Sequence, residues 1–302
     1  MSIALLFPGQ GAQVVGMGRE LTARSSIAAD LFRQAADVLG FDLLKLCIEG
    51  PDEQLHRTEF SQPALFVHSY AVLKQIEQDR PDLWIDVRAV AGLSLGEYTA
   101  VAAAGGLEFA DALRLVQTRG LAMQAAADQV RSGMCSVLGL DLDELQEVCA
   151  QATEGADFVK VANLLCPGNI AVSGHLSALD RIEKLAVEAG AMKAVRLSVA
   201  GAFHTELMQP AVARLNTALE SVAFKPTRVP VISNVDAAEH SSPDEIRGLL
   251  ARQVISPVLW EASLRKLIEL GVSQFLELGA GRVLAGTLKR IDRKLACESI
   301  GD

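Results

Sequence analysis

Arg88-Ala89-Val90-Ala91-Gly92-Leu93-Ser94-Leu95-Gly96-Glu97-Tyr98 is the stretch on which the reading of this chain turns. It reads as a short apolar strand running into G-x-S-x-G, then an alanine-rich helix from Tyr98 to Ala104. Glycines two before and two after the serine let the chain turn sharply between the two elements. The serine oxygen then stands above the strand end, and the N-terminal dipole and free N–H groups of the helix point toward it. The same pattern fits an ordinary turn with a capping serine, so the rest of the chain has to decide between nucleophile and cap.

The strand Ile3–Phe7 is followed by Pro8-Gly9-Gln10-Gly11-Ala12-Gln13, a tight loop at the carboxyl end of a strand, where open α/β sheets keep their sites. It is not a phosphate loop, since no G-K-[ST] follows and the G-x-G-x-x-G spacing is absent. Its backbone N–H groups are expected to face the same crevice as Ser94. Residues 20–80 are mostly helical by pattern, with Leu31, Ala35, Val38 and Leu39 at helical spacing. Gln62 stands beside Pro63 near the start of one of these helices.

After the elbow a helix runs from Phe109 through Met123. Arg114 reads as its exposed charge, whereas Arg119 shares a region with Leu115, Val116 and Met123 and is a candidate for the interior. A buried guanidinium needs an anionic partner, because an unpaired buried charge is very costly. A protein carboxylate meets that need, and so does a substrate carboxylate held bidentately.

Between 129 and 198 the texture changes to strand, helix, two strands, helix and strand. The strands are Met134–Leu140, Val159–Asn163, Asn169–Gly174 and Lys193–Leu197, and the first helix opens at Asp141-Leu142-Asp143-Glu144. This β-α-β-β-α-β order predicts a ferredoxin-like subdomain. The fold class is therefore α/β: a larger α/β-hydrolase-like domain with a mostly parallel sheet, built from 1–128 and 199–302, with 129–198 inserted. Beyond the insertion, His204 follows small residues at a strand-to-helix junction and is expected at a crevice. Val229–Val235 and Ser273–Leu278 read as further strands, the second as the last of the chain, and the tail from Arg282 to Lys294 reads as a basic helix.

Composition narrows the classes. The chain has 302 residues, half of them hydrophobic, enough for a full core. A net charge of −9 argues against broad nucleic-acid binding, which needs a basic face. Five cysteines without C-x-x-C spacing read as reduced thiols. The opening Ser2–Phe7 has no basic n-region and is too short for a signal peptide or a membrane span, so a cytoplasmic protein without membrane contact is expected. A monomer is expected as well, since no exposed apolar helix stripe is evident.

Taken together, Phe7-Pro8-Gly9-Gln10-Gly11, Gln62-Pro63-Ala64, Gly92-x-Ser94-Leu95-Gly96-Glu97-Tyr98, Gln117-x-Arg119-Gly120, Asn163 with Pro167-Gly168, Ala202-Phe203-His204, Ser233-Asn234-Val235 and Leu278-Gly279 resemble, in order, one family across essentially the whole chain. It is that of the malonyl-CoA:acyl carrier protein transacylases and the related acyltransferase domains of fatty-acid and polyketide synthases. The resemblance implies Ser94 as nucleophile, His204 as general base, and the backbone N–H groups of Gln10 and Leu95 as oxyanion hole. It implies Arg119 as the group that binds the malonyl carboxylate, Gln62 as a lining of the acyl pocket, and a backbone carbonyl near Gln253 as the group that orients His204. Malonyl-CoA and an acyl carrier protein bearing phosphopantetheine are the implied substrate and partner, with no metal or redox cofactor. Gly201-Ala202-Phe203-His204 resembles the malonyl-type pattern rather than the methylmalonyl type.

This chain departs from the family pattern at Leu93, where histidine is usual, at Ala12, where serine is commoner, and at Leu164-Leu165-Cys166, where more polar residues precede the proline. Leu93 makes the pocket beside the nucleophile less polar, which bears on substrate preference more than on reaction class. An acidic carrier docking on an acidic chain needs a local, salt-sensitive contact. Lys193 and Arg196, with Lys289, Arg290 and Arg293, are the candidate patch. Two rival functions predict other features. A hydrolase of the α/β type predicts an acid between Ser94 and His204 in chain order, for which Asp111 and Asp128 are the candidates. A non-catalytic scaffold predicts loss of the serine or the histidine, and both are present.

Overall fold

The computed structural model describes residues 2–301. The strands among them are β1 (Ile3–Phe7), β2 (Val87–Gly92), β3 (Ser132–Leu138), β4 (Val159–Cys166), β5 (Asn169–His175), β6 (Lys193–Arg196), β7 (Val231–Ile232), β8 (Glu239–His240), β9 (Gln274–Leu278) and β10 (Ala296–Ile300). The apolar run of β1 is buried along its whole length, as a strand covered on both faces must be. Ile3, Leu5 and Phe7 enter the larger core, whereas the alternate Ala4 and Leu6 enter a second one on the opposite face. Helices Thr58–Asp79, Leu95–Ala103 and Phe109–Ala127 build the first core. Helices Trp260–Glu269 and Val283–Ile291 close the second through Trp260, Leu264, Leu284 and Leu288.

The main sheet has the order β10-β9-β1-β2-β7-β8, and its neighbours are parallel except β7 with β8. The loop after β1, the turn after β2 and the segment Ser233–Asn234 after β7 all leave at the carboxyl end of parallel strands, where such sheets form their crevice. The second sheet has the order β4-β5-β3-β6 with antiparallel neighbours, the order of a ferredoxin-like module. Helices Leu142–Ala152 and Leu176–Glu188 give it a core of its own around Val137, Leu145, Val148, Leu179 and Ile182. The first of them begins with a two-way capping box between Asp141 and Glu144. The second sheet is tied to the segment before helix Trp260–Glu269 where Leu164 N–H donates to the Val258 carbonyl (2.9 Å) and Val258 N–H donates to that of Ala162 (2.8 Å). That contact anchors the chain just beyond Gln253.

Some elements differ from the sequence reading. The strand expected over 229–235 is only Val231–Ile232, because Pro230 has no N–H for the ladder and Ser233–Asn234 turn toward the elbow instead. The strand at 274–278 is not the last, since β10 pairs beside it in parallel. Its sequence, Ala296-Cys297-Glu298-Ser299-Ile300, is short and partly exposed, as suits an edge strand, and lacks the apolar run that marks a buried one. The basic tail helix stops at Ile291, before Arg293 and Lys294. Among the described residues no cysteine forms a disulfide. Among the described residues no helix is long and apolar enough to cross a membrane.

The glycines of the elbow serve close approach. A Cβ on Gly96 would lie 2.1 Å from the Phe7 carbonyl oxygen, and one on Gly92 would lie 1.9 Å from that of Gly96. Helix Leu95–Ala103 therefore packs backbone to backbone on β1, which sets the height of Ser94 over the sheet. Gly96→Ala is expected to lower unfolding free energy by about 3 kcal/mol in urea titration, as overpacking does. Gly248→Ala, on an exposed helical position with open space around it, is expected to raise it by about 0.5–1 kcal/mol. A neutral Gly96→Ala would contradict the tight contact.

Candidate active site

Ser94 links β2 to helix Leu95–Ala103 with φ 50° and ψ −101°, a left-handed conformation that costs a non-glycine residue roughly 1–3 kcal/mol. Three hydrogen bonds hold it there. Ser94 N–H donates to Asn234 Oδ1 (2.7 Å), Asn234 Nδ2 donates to the Gly92 carbonyl (2.8 Å), and Gln253 Nε2 donates to the Ser94 carbonyl (2.9 Å). The serine hydroxyl makes no cap bond to the helix. It lies 2.8 Å from His204 Nε2.

His204 is also left-handed, at φ 63°. Its Nδ1 is 3.0 Å from the Gln253 carbonyl oxygen, which only accepts. Nδ1 therefore carries the proton, and Nε2 presents a lone pair to the Ser94 hydroxyl. The ring was expected to be exposed at a crevice. It is 4% exposed, forming part of the wall of a small cavity. Burial, and then the nearby Arg119 cation, pull its pKa down to about 4. The acids foreseen by the hydrolase reading are elsewhere: Asp111 pairs with Arg114, and Asp128 accepts from Gln124 Nε2.

Arg119, from helix Phe109–Ala127, is 1% exposed. Its guanidinium donates to Gln62 Oε1 (2.8 Å), to Gln253 Oε1 (3.0 Å) and to Ser94 Oγ (3.0 Å), and it lies 5.3 Å from the Tyr98 ring centroid. Among the described residues no carboxylate is within ion-pair distance, and Glu97 acts on it only from farther off. The guanidinium is thus buried among neutral oxygens. Gln62, itself fully buried, also donates to Met123 Sδ at 3.6 Å.

These groups border a cavity of about 80 Å³ whose apolar wall includes Leu93, Met123, Met134, Val199 and Phe203. Leu93 packs in the core that holds Ile232 and Trp260, and Leu165 packs against the same core. Gln10 lines the cavity, and its side chain reaches Thr58 Oγ1 at 3.4 Å. The Leu95 side chain is 1% exposed and joins the larger core, and its N–H is the first of the helix.

The candidate carrier patch is not one surface. Lys193 and Arg196 lie on β6 and Arg290 reaches Cys166 at the end of β4, at opposite edges of the four-stranded sheet. Arg196 is further neutralised by Glu183 (2.6 Å) and Asp180 (2.7 Å). Lys193, Lys289 and Arg293 are exposed.

Two residues here escaped the sequence reading. Asn234 grips the elbow from both sides, as described. Glu97 is 2% exposed and accepts from Gln253 Nε2 (2.6 Å) and from Asn234 N–H (3.1 Å), with burial pushing its pKa up to about 7. The available signal was a lone carboxylate within the apolar run of helix Leu95–Ala103.

The family described as acyl transferase domain matches residues 4–298. The malonyl CoA-acyl carrier protein transacylase of Bacillus subtilis is 41% identical over 302 residues, covering 99% of this chain and 93% of that protein. The human mitochondrial malonyl-CoA-acyl carrier protein transacylase is 41% identical over 296 residues, covering 94% and 76%. Among solved structures, the acyl-carrier-protein S-malonyltransferase of Bartonella henselae superposes with a TM-score of 0.96 at 37% identity, covering 100% of this chain and 96% of that one. A malonyl-transacylase in complex with its type II PKS acyl-carrier protein superposes with a TM-score of 0.95 at 36% identity and the same coverage. With its fold, its Ser94–His204 pair and a family match over nearly its full length, this chain belongs to the acyl transferase domain family.

Proposed function

We propose that this enzyme moves a malonyl group from malonyl-CoA to the phosphopantetheine thiol of an acyl carrier protein through an ester on Ser94. The names of the relatives support the substrate and the carrier. The observation that carries the reading within this chain is Arg119, a buried guanidinium with no carboxylate within ion-pair distance among the described residues and one N–H group already on the Ser94 hydroxyl. A carboxylate held there stands about one short acyl unit from the attacking oxygen, which is the span of a malonyl thioester.

His204 Nε2 takes the Ser94 proton as Oγ attacks the thioester carbon. The backbone N–H groups of Gln10 and Leu95 are the proposed donors to the oxyanion, each worth about 3–4 kcal/mol when aligned. The tetrahedral adduct collapses, the C–S bond breaks, and His204 returns its proton to the coenzyme A sulfur. The carrier thiol then enters, gives its proton to His204 and attacks the Ser94 ester, and collapse restores the Ser94 hydroxyl. Gln253 orients the base through its carbonyl and helps hold Arg119 through its side chain, while Gln62 holds Arg119 from the other side. Every group in this scheme is a protein group, so it needs no metal or redox cofactor.

Segment 129–198 is proposed as a ferredoxin-like unit over the site, with 1–128 and 199–302 as the catalytic domain. Met134 lines the cavity from the first of these. We read the catalytic unit as one chain, since each assigned group belongs to it, and as cytoplasmic, since cysteines without a disulfide among the described residues suit a reducing compartment. The carrier's anionic surface is proposed to meet Lys289, Arg290 and Arg293, at the β4 edge, rather than Lys193 and Arg196 at the β6 edge.

Arg119→Ala is expected to lower kcat/KM for malonyl-CoA by about a hundredfold or more while acetyl-CoA changes by less than about tenfold. Equal losses for both substrates would overturn the selector role, and release of malonate without transfer to holo carrier would overturn transfer itself. The depressed His204 pKa sets the pH profile. Burial and Arg119 both disfavour the imidazolium, so the neutral base persists below the ordinary value of 6.5, toward the folded value of about 4. The rate of acyl-enzyme formation, followed by rapid quench, is expected to show no half-loss near pH 6.5 on descent from pH 8. A half-loss there would contradict the buried neutral base.

A further inference from the structure

We propose that Glu97 is a positioning residue for acyl-group selection, acting through the amide of Gln253. The inference rests on the transfer reading above. It starts from an asymmetry of hydrogen-bonding groups. The Gln253 amide has an accepting end and a donating end, and Arg119 needs the accepting one. That orientation holds only if the donating end finds acceptors on its other side. It finds two, Glu97 Oε2 at 2.6 Å and the Ser94 carbonyl at 2.9 Å, and Oε1 is then left for the Arg119 guanidinium at 3.0 Å. With the amide reversed, its NH2 group would face the guanidinium, and its oxygen would face both a carboxylate and a carbonyl.

The same oxygen of Glu97 also accepts from Asn234 N–H at 3.1 Å, and the Asn234 side chain spans Ser94 N–H and the Gly92 carbonyl. One acceptor atom therefore joins the two segments that hold the elbow, the base and the guanidinium: 233–234, which bonds the Ser94 backbone, and Gln253, whose carbonyl takes His204 Nδ1. The carboxylate is not a helix cap, because the start of helix Leu95–Ala103 has no side-chain cap bond. It is not half of an ion pair either, since its strongest partners are an amide, a backbone N–H and Ser233, with Arg119 acting from farther off. A buried carboxylate held only by neutral donors is a stability cost that an apolar residue of similar size would remove. Its placement is explained by what it orients.

The test compares Glu97→Met, Glu97→Asp and Glu97→Gln by the ratio of kcat/KM for malonyl-CoA to that for acetyl-CoA, with melting temperatures alongside. Gln can put an oxygen where Oε2 stands, Asp keeps the charge but is one methylene short, and Met keeps the volume without an acceptor. The expected ratio follows the order Gln, Asp, Met, with Gln within about threefold of wild type and Met down by about tenfold or more, the loss expected for a misdirected hydrogen bond to a charged group. Adding Gln253→Met to Glu97→Met is expected to lower the ratio no further than Gln253→Met alone. If Met fails to fold, the order of Gln and Asp decides: Asp better than Gln means that the charge matters and the acceptor position does not, which overturns the proposal. Unchanged ratios, or equal losses on both substrates in step with the melting temperature, overturn it as well. A wild type that shows no preference for malonyl overturns the transfer reading, and this inference with it.

Discussion

Ser94 stands with φ at 50° between a strand and a helix, and a serine leaves that conformation unless its neighbours hold it. The restraint comes from far along the chain. Asn234 follows β7, and Gln253 ends the helix Pro243–Gln253, yet both bond to the backbone of Ser94. The sheet order explains how they arrive. β2 lies between β1 and β7, so the loop after β1, the elbow after β2 and Asn234 after β7 leave the sheet side by side. The glycines of the elbow then let the helix sit directly on the Phe7 and Pro8 carbonyls. What looks like a local motif is a junction of three strand ends and one helix end.

The second constraint is electrostatic. His204, Arg119 and Glu97 are all nearly inaccessible to water, and each responds to burial in the direction its charge dictates: the histidine and arginine downward, the glutamate upward. The histidine becomes a neutral base with a fixed tautomer. Arginine stays a cation at any working pH, and its donors rest on two amide oxygens and the nucleophile. In a medium of low dielectric such a charge binds an anionic acyl group far better than a neutral one, and the uncompensated cation penalises a substrate without a carboxylate. In the proposed reaction, nucleophile activation and substrate choice meet on one oxygen, Ser94 Oγ, which both His204 and Arg119 contact.

Local signals made much of this legible. The G-x-S-x-G turn, the β-α-β-β-α-β order of 129–198 and the placing of Arg119 among apolar residues are short-range patterns, and the corresponding elements are present. The unread parts depend on distance in sequence. Nothing near Glu97 says that its carboxylate turns inward to Gln253, because Ser-x-x-Glu at a helix start has the form of a capping box. Arg196 looked available until Glu183 and Asp180, on a helix packed against its strand, were seen to neutralise it. β10 was hidden because an edge strand need not be apolar. Whether Arg119 had a carboxylate partner was a question about four segments at once, and only the folded chain answers it.

The central claim is that Ser94 itself carries the acyl group between the two thiols. Intact-mass spectrometry of the wild type and of Ser94→Ala, after brief mixing with malonyl-CoA and then with holo carrier protein, tests it most directly. The account predicts a malonyl adduct on the wild type alone, mapped to the peptide containing Ser94 and chased off by the carrier with malonyl appearing on the carrier. An adduct of equal yield on Ser94→Ala, or transfer to the carrier without any adduct forming at a competent rate, would contradict it.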